Sequence, residues 1–176
     1  MEKEKATIKD KQKLQQELYE QHYKKMMGVC LRYAMDKDEA KDILHEGFIK
    51  VFNKIDQFDN KGSLEGWIRR VIVNTAIDHC RTTIHTTSLN ENYDLTEEIE
   101  EDNELYEDLS AEEIMQMIQS LSPVYRTVFN MYAIENYSHK EIAEKLGISE
   151  GTSKSNLSKA RMSLKKMFFE HKKIEA

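Results

Sequence analysis

The sequence lacks the features that mark several large classes of protein. It contains one proline and six glycines in 176 residues, which argues against collagen, proline-rich linkers and loop-dense β architectures. No apolar run approaches the roughly 18–20 residues that a membrane-spanning helix needs. The N-terminal residues MEKEKATIKDKQK are charged throughout, whereas a secretion signal has an apolar core. We therefore expect a cytoplasmic protein.

Clusters of metal-ligating or nucleophilic residues are also missing. The two cysteines, Cys30 and Cys80, stand alone, without CxxC spacing or a neighbouring histidine cluster. Because thiols stay reduced in the cytoplasm, we expect Cys30 to pack in a core and Cys80, near a helix end, to have no special role. No paired-carboxylate or glycine-rich phosphate motif stands out, so we predict no cofactor, no metal and no enzymatic activity.

Basic residues are absent from one long segment. Residues 82–120 contain twelve acidic side chains and no lysine or arginine, which gives this segment a charge of −12, whereas residues 1–81 carry +2 and residues 121–176 carry +4. The net charge of −6 taken alone argues against nucleic-acid binding, which usually involves a basic patch. When the charge is counted segment by segment, the acidic excess lies in residues 82–120, between two blocks that are each net positive. Like charges with few large apolar residues predict an extended, solvated linker, which we place at residues 82–109.

Residues 1–81 show the apolar periodicity of three amphipathic helices. Asp36 and Glu39 resemble a capping box before the second helix, and Ser63 starts the third after the polar turn DQFDNKG. Strand-like alternation is absent, so this block is predicted to be an all-α bundle around one core. The predicted inward residues are Leu14, Leu18, Met26, Cys30 and Ala34 in the first helix, Ala40, Ile43, Leu44, Gly47, Phe48, Val51, Phe52 and Ile55 in the second, and Leu64, Trp67, Ile68, Val71, Ile72, Thr75 and Ala76 in the third.

Residues 110–176 contain the start and stop signals of four more helices. Serines at N-cap positions are followed by a glutamate three residues later or by a first-position proline, and one glycine stands where a helix ends in the left-handed conformation. These signals predict a second small domain of four helices. The start signals are Ser110 with Glu113, Ser122 with Pro123, Ser138 with Glu141, and Ser149, and the stop signal is Gly147.

The last two of these helices have the form of a helix-turn-helix. A short helix, SHKEIAEKL, is followed by a tight turn with Gly147 and by a longer helix. From Lys154 to Lys173 the longer helix carries seven basic residues against one acid, Glu170. In this motif the start of the second helix reaches base edges while basic residues engage phosphates. The alternative, a merely solvated lysine face, explains neither the turn signals nor the near-absence of balancing acids.

Three strings in the two blocks resemble an extracytoplasmic-function (group IV) sigma factor, the promoter-recognition subunit of bacterial RNA polymerase. DEAKDILHEGFIKVFNKI resembles the polymerase-binding helix of that family, and GSLEGWIRRVIVNTAIDHCR resembles its −10-reading segment. LSPVYRTVFNMYAIENYSHKEIAEKLGISEGTSKSNLSKARMSLKK resembles its −35-reading domain. The strings follow the family's order, with a linker at the expected place.

The resemblance implies two helical domains with separate tasks. A region 2 domain at residues 1–81 would bind core polymerase and the −10 element, and a region 4 domain at residues 110–176 would read the −35 element. The implied partners are promoter DNA and core RNA polymerase, through the clamp helices of its largest subunit and the flap of its second-largest. Many similar proteins are held inactive by an anti-sigma factor, although no segment here identifies one. No small-molecule substrate is implied.

The resemblance also assigns site residues, carried over position by position. The outward face of the second helix would dock on the polymerase. The loop Gln57–Gly62 and the third helix would hold a base turned out of the duplex, and the last helix would read the −35 element. The polymerase-binding residues are Asp42, His45, Glu46, Asn53 and Lys54. The −10-reading residues are Phe58, Asn60, Lys61, Arg70, Asn74 and Asp78, and the −35-reading residues are Thr152, Lys154, Ser155, Asn156, Ser158 and Lys159.

Three positions depart from the family's pattern. His45 stands where glutamine is usual, Ser153 replaces a usual valine and weakens the buried anchor of the last helix, and Asn156 replaces a common arginine. Because an amide favours adenine where arginine favours guanine, we predict a −35 preference shifted away from G/C. Without the resemblance, plainer roles stay open: a surface amide for Asn74, core packing for Trp67, and a solvated face for the second helix.

Three other functions stay open on the sequence alone. A stand-alone helix-turn-helix regulator would bind duplex DNA without polymerase, but nothing in the sequence looks like a dimer seam or a ligand pocket. A helical enzyme lacks a catalytic motif, and a protein-only adaptor leaves the basic last helix unexplained. The preferred prediction is a sigma factor that binds core polymerase, melts and reads the −10 element, and reads the −35 element.

Overall fold

The fold is built from helices throughout the part of the chain that the structure describes. This computed structural model describes residues 2–59, 61–87 and 109–175. Every regular element in those ranges is helical, which confirms the all-α prediction. Asn60 and residues 88–108 of the predicted linker lie outside the described residues. The α-helices are α1 (Glu2–Tyr33), α2 (Lys37–Lys54), α3 (Leu64–Thr87), α4 (Ala111–Ser120), α5 (Pro123–Phe129), α6 (His139–Leu146) and α7 (Glu150–Glu175).

The chain divides into two compact units. The first unit comprises Met1–Leu31 and Asp36–Ala76, and the second comprises Arg32–Met35 and Ile77–Ala176. The division falls within α1 and within α3, so it follows a different line from the predicted boundaries after residues 81 and 109, which stay a prediction. Because α3 continues to Thr87, its end lies six residues beyond the end that we predicted for the first domain.

In the first unit, α2 begins at a capped turn and packs closely on α3. The Oδ1 atom of Asp36 accepts hydrogen bonds from the backbone N–H groups of Asp38 and Glu39, both at 2.9 Å. A Cβ added at Gly47 would lie 2.4 Å from Cδ1 of Ile72, so this glycine allows the two helices to approach. The buried side chains of α2 confirm most of the predicted inward face: Ala40, Ile43, Leu44, Phe48 and Val51.

One of the predicted inward residues of α1 is exposed. Met26 and Cys30 are buried as predicted, but Leu14 is 60% exposed, so its inward assignment was wrong. At 1.5 Å per residue, the 32 residues of α1 span about 48 Å and the 18 residues of α2 about 27 Å. α2 is therefore about 21 Å shorter than α1.

Cys80 is a packed residue of α3. Its side chain is 6% exposed, and its Sγ atom lies 3.9 Å from the carbonyl oxygen of Tyr33 within the second unit. The expectation that it lies near a helix end was wrong, because α3 continues for seven residues beyond it. Neither Cys30 nor Cys80 forms a disulfide.

The helix signals of the second unit are largely confirmed. The capping boxes at Ser110 and Ser138 are both formed, and Gly147 ends α6 in the left-handed conformation with φ 69°. Ser149 accepts a hydrogen bond from the backbone N–H of Thr152 at 2.9 Å, which caps α7. Ser122 is the exception, since its hydroxyl makes no capping hydrogen bond although a proline follows it at the first helical position.

A buried arginine, missed by the sequence analysis, joins several carbonyl groups in the second unit. Arg126 of α5 is 4% exposed. Its guanidinium donates to the carbonyl oxygens of Ala34 at 2.5 Å, Gln119 at 2.6 Å, Leu121 at 2.8 Å and Tyr33 at 3.4 Å. Tyr33 is the last residue of α1 and Ala34 follows it, and at such a helix end the carbonyls lack intrahelical donors and the helix dipole is negative. The positive side chain therefore caps a helix end distant in sequence.

Further polar contacts surround this arginine. The amide nitrogen of Asn130 donates to the carbonyl oxygen of Arg32 at 2.6 Å, and the Arg32 guanidinium lies 3.8 Å from the carboxylate of Glu135. Burial, together with the charge of Glu135, raises the pKa of Tyr33 well above its ordinary value, so the phenol stays protonated. Asn130 opens a π-helical turn, Asn130–Ile134, that continues α5 and that apolar periodicity did not predict.

Candidate nucleic-acid interface

The helix-turn-helix has the geometry that its turn signals predicted. The backbone N–H groups of Gly147 and Ile148 both donate to the carbonyl oxygen of Ala143, at 2.9 and 3.1 Å. Ile142 and Leu146 of α6 are fully buried, and α7 packs against α4, α5 and α6. The N-terminal turn of α7 is thereby held beside α6 with its outer side open.

That open side carries most of the predicted −35-reading residues. Thr152 and Lys154 are exposed, and Ser155, Ser158 and Lys159 are partly exposed. The hydroxyl groups of this turn are ordered, since Ser155 donates to the carbonyl oxygen of Thr152 at 3.1 Å. The arrangement offers a lysine, hydroxyl groups and a helix N-terminus together, a combination suited to phosphate and base contacts.

Asn156 differs from its neighbours in the predicted set. It is 9% exposed and lies beside the buried stripe formed by Leu157, Ala160 and Leu164, because it is one helical turn before Ala160. A contact between Asn156 and a base stays a prediction. For this contact the side-chain amide would have to extend from the buried side of α7 toward its exposed side.

Ser153 has a polar partner that the sequence analysis missed. It is fully buried, and its Oγ atom lies 2.9 Å from Nδ1 of His139, the first residue of α6. The His139 ring stacks on Tyr132 at a centroid distance of 4.7 Å, and the guanidinium of Arg161 lies 5.8 Å from the centre of the same tyrosine ring. The start of α7 is therefore attached at Ser153 by a hydrogen bond, where the sequence predicted only a weakened apolar contact.

The surroundings of His139 favour its neutral form. Burial lowers its pKa from the ordinary 6.5, and the positive charges of Lys154 and Arg161 lower it further, while Glu150 opposes them. A neutral imidazole can donate or accept at Nδ1 according to its tautomer. The hydrogen bond with Ser153 is thus compatible with a neutral ring near pH 7.

The predicted polymerase-binding residues lie on an exposed face of α2, which has an apolar centre. Ile49 is 59% exposed, and at 100° per residue it lies between His45 and Asn53. Lys54 is turned about 120° away from Asp42, so it lies at the side of this face. Ile49 was not among the predicted residues, although its spacing from the outward residues indicates that it lies on the same face. The exposed face of α2 consists of Asp42, His45, Glu46, Ile49 and Asn53.

An aromatic residue of α1 lies beside this face. The Tyr19 ring is 6.4 Å from the His45 ring and 4.8 Å from the Phe48 ring, measured between centroids. Burial and the neighbouring Tyr23 raise the pKa of Tyr19, which keeps its hydroxyl protonated. His45 therefore has an aromatic neighbour on α1.

The predicted −10-reading residues fall into two groups. In the loop before α3, the Phe58 ring packs 5.8 Å from the Trp67 ring, while Lys61 is exposed and pairs with Asp59 at 3.2 Å. Asn60 lies outside the described residues. Trp67 is partly buried, so it packs against the loop and its core assignment holds only in part.

The second group lies along α3. Arg70, Asn74 and Asp78 are four residues apart and share one side of the helix. Arg70 and Asp78 are exposed and Asn74 is partly exposed. Asp78 lies 3.6 Å from the guanidinium of Arg81. This side of α3 therefore offers an amide flanked by charged groups of both signs.

The described residues contain neither a cluster of metal-binding side chains nor a membrane-spanning helix. No group of three or more His, Cys, Asp or Glu side chains is placed to hold a metal ion within those ranges. None of the helices described is long and apolar enough to cross a membrane.

Family models match both parts of the chain that carry these surfaces. Residues 18–84 match Sigma-70 region 2, and residues 111–164 match Sigma-70, region 4. The first match contains the exposed face of α2 and most of α3, and the second contains the helix-turn-helix. The two matches define a protein of the Sigma-70 class.

Similar proteins narrow the class. The chain is 33% identical over 153 residues to the ECF RNA polymerase sigma factor SigW of Bacillus subtilis, covering 81% of this chain and 82% of that protein. It is 26% identical to RNA polymerase sigma factor YlaC of Bacillus subtilis over 86% of this chain and 90% of the relative. It is 30% identical to ECF RNA polymerase sigma factor SigE of Mycolicibacterium smegmatis, covering 88% of this chain but 62% of that longer protein. The chain belongs to the ECF family of RNA polymerase sigma factors.

Proposed function

We propose that this protein binds core RNA polymerase and directs promoter-specific initiation by melting and reading a −10 element and reading a −35 element. The observation that carries the proposal is the presence of both sigma regions in one chain, each with its own exposed polar surface. Such a protein contributes binding and orientation, while the polymerase makes the phosphodiester bonds.

The start of α7 is proposed to read the −35 element. Lys154 supplies a positive charge for phosphates, and Thr152, Ser155 and Ser158 supply hydroxyl groups near the helix N-terminus. In helix-turn-helix proteins this part of the second helix enters the major groove. Phosphate contacts set the register of the helix, and the remaining side chains read base edges. Asn156 would favour adenine and shift the preference away from G/C.

One side of α3 is proposed to hold the −10 element. The amide of Asn74 has both donors and an acceptor, which suits the edge of a base turned out of the duplex. Arg70 would neutralise phosphates of the melted strand. Phe58 would support the pocket, since its packing on Trp67 holds the loop beside the start of α3.

The exposed face of α2 is proposed to dock on the clamp helices of the largest polymerase subunit. An apolar residue surrounded by polar ones is the usual anatomy of a protein interface. Ile49 provides that centre, and Asp42, His45, Glu46 and Asn53 form the rim. Region 4 is proposed to reach the flap of the second-largest subunit.

The distance between the two promoter elements limits the connection between the readers. Elements about 25 base pairs apart lie about 85 Å apart along the duplex. Because α3 continues to Thr87 and α4 begins at Ala111, 23 residues connect them, with a maximum reach of about 80 Å. This reach is close to the required distance, so the connection would have to be nearly fully extended. The hydrogen bonds of Arg126 and Asn130 with residues 32–34 at the end of α1 would then have to be released.

Run-off transcription with core polymerase tests the proposal. We expect initiation from a defined subset of a promoter library only when the protein is present. A promoter-specific product that disappears on substitution of the −10 or −35 element would support both readers. Binding to duplex DNA without polymerase, together with no initiation on the library, would instead establish a stand-alone regulator.

A further inference from the structure

We propose that His139 and Ser153 are a pair of positioning residues that set how the start of α7 is presented to the −35 element. This inference rests on the proposed −35 reading. Ser153 is fully buried between the two exposed residues Thr152 and Lys154, so any rotation of its side chain about the helix axis moves both neighbours. Its hydrogen bond to His139 at 2.9 Å fixes that rotation.

A hydrogen bond fixes orientation in a way that apolar packing does not. Apolar contact is non-directional, so a buried alkyl side chain at position 153 would allow small rotations at little loss. The bond between Oγ and Nδ1 weakens steeply away from its preferred distance and angle. The pair therefore defines the angle at which Thr152 and Lys154 leave the surface.

The histidine is itself held from a second direction. Its ring stacks on Tyr132 at 4.7 Å, and Tyr132 in turn lies 5.8 Å from the guanidinium of Arg161. The series Ser153, His139, Tyr132 and Arg161 thus starts and ends on α7, at points eight residues or about 12 Å apart. Two attachments at this spacing fix both the rotation and the axial position of the helix.

The π-helical turn contributes to this arrangement. Tyr132 lies in the middle of Asn130–Ile134, and a π turn contains more residues than an α turn, which changes the directions of the side chains that follow. The partly buried hydrogen bond from Asn130 to the carbonyl oxygen of Arg32 holds the start of the turn. Tyr132 is therefore presented to His139 by a fixed piece of backbone.

A double-mutant cycle in the full chain, bound to core polymerase, tests the pairing. His139→Phe keeps a ring to stack on Tyr132 but loses the hydrogen bond, and Ser153→Ala loses the hydroxyl. We expect each variant to bind a promoter duplex about 5–10-fold more weakly at a −35 element selected for the wild type. The double variant should be no weaker than either single one, and discrimination among single-base changes in the −35 element should decrease.

Thr127→Val is the matched control. Thr127 is also a fully buried hydroxyl residue of the second unit, and its Oγ1 donates to the carbonyl oxygen of Pro123 at 2.8 Å, a hydrogen bond that stays within α5. This variant should lose stability while keeping both affinity for the −35 element and discrimination among its variants. A purely structural role for Ser153 would make Ser153→Ala behave in the same way, which would overturn the inference.

The wild-type measurement separates this inference from the proposed function. If the wild-type holoenzyme shows no dependence on the −35 sequence, the −35 reading itself is refuted. If the wild type depends on that sequence and both single variants keep its affinity and discrimination, only the positioning role is refuted. Additive losses in the double variant would also refute the pairing.

Discussion

Substitution of Ile49 should weaken the complex with core polymerase while leaving the fold intact. Fully burying an isoleucine side chain contributes about 1.5–3 kcal/mol, and 59% of Ile49 is exposed in the free protein. If docking covers that fraction, the contact contributes about 1–2 kcal/mol. Ile49→Ala, which keeps only the Cβ atom, should therefore raise the Kd for core polymerase about 4–20-fold.

A charged substitution at the same position should have a larger effect. Ile49→Asp removes the apolar contact and places a carboxylate at the centre of the interface, where desolvation without a partner is unfavourable. We expect its Kd to rise beyond that of Ile49→Ala. Fluorescence anisotropy of the labelled protein, titrated with core polymerase, measures both values, and circular dichroism confirms that the variants remain folded.

Leu14 provides a closely matched control. It is 60% exposed on α1, so Leu14→Ala and Leu14→Asp make the same chemical changes to a side chain of similar exposure, outside the proposed interface. Their Kd values should equal that of the wild type. An unchanged Kd for Ile49→Asp, or an equal loss for Leu14→Asp, would show that the exposed face of α2 does not dock through Ile49.

Three further changes test what holds the fold together. Arg126→Met should lower the free energy of unfolding by about 2–4 kcal/mol, because it leaves buried carbonyl groups without a donor; urea denaturation measures this, and a loss below 1 kcal/mol would contradict the capping role. Gly47→Ala should also destabilise, by about 1–3 kcal/mol, since the added Cβ overlaps the end of the buried Ile72 side chain; an unchanged melting temperature would show that this side chain can move aside without loss of packing. The third concerns pH. The pKa of His139 in the folded protein is below 6.5, so the unfolded chain takes up the proton first as the pH decreases. The part of the free energy of unfolding that depends on neutral His139 is therefore fully present above pH 6.5 and is lost as the pH falls toward the folded pKa. Urea denaturation at pH 7.5 and 5.5 should show a smaller pH loss for His139→Phe than for the wild type, and equal losses would refute this assignment.

Features encoded by neighbouring residues could be predicted from the sequence. A capping box requires only a serine and a glutamate three residues later, and both boxes formed at Ser110 and Ser138. The left-handed end of α6 follows from one glycine, Gly147, which has no Cβ to oppose a positive φ. The helix-turn-helix depends on such local signals, so its position was correct.

Features that depend on distant residues could not be predicted in this way. Arg126 would be assigned to the surface from its charge, and only the approach of carbonyl groups from residues 33–34 and 119–121 makes its burial possible. Leu14 fits an apolar stripe but is 60% exposed. The hydrogen bond of Ser153 required a histidine 14 residues away, with an intervening turn that brings the two together.

These two groups of residues have different roles in the molecule. Residues proposed to contact DNA or polymerase are exposed and chemically conspicuous, so a family motif or a helical wheel locates them, as it does Lys154. Residues that determine where those side chains point are buried and polar. Their role can be inferred only when their hydrogen-bond partner is known. From the sequence, a serine at position 153 is expected to pack less well than an apolar residue at the start of α7. In the structure its hydrogen bond to His139 attaches α7 in a defined direction. The serine therefore changes the kind of attachment at the start of α7. We expect position 153 to affect the geometry of −35 recognition, while Asn156 is the residue expected to shift the base preference.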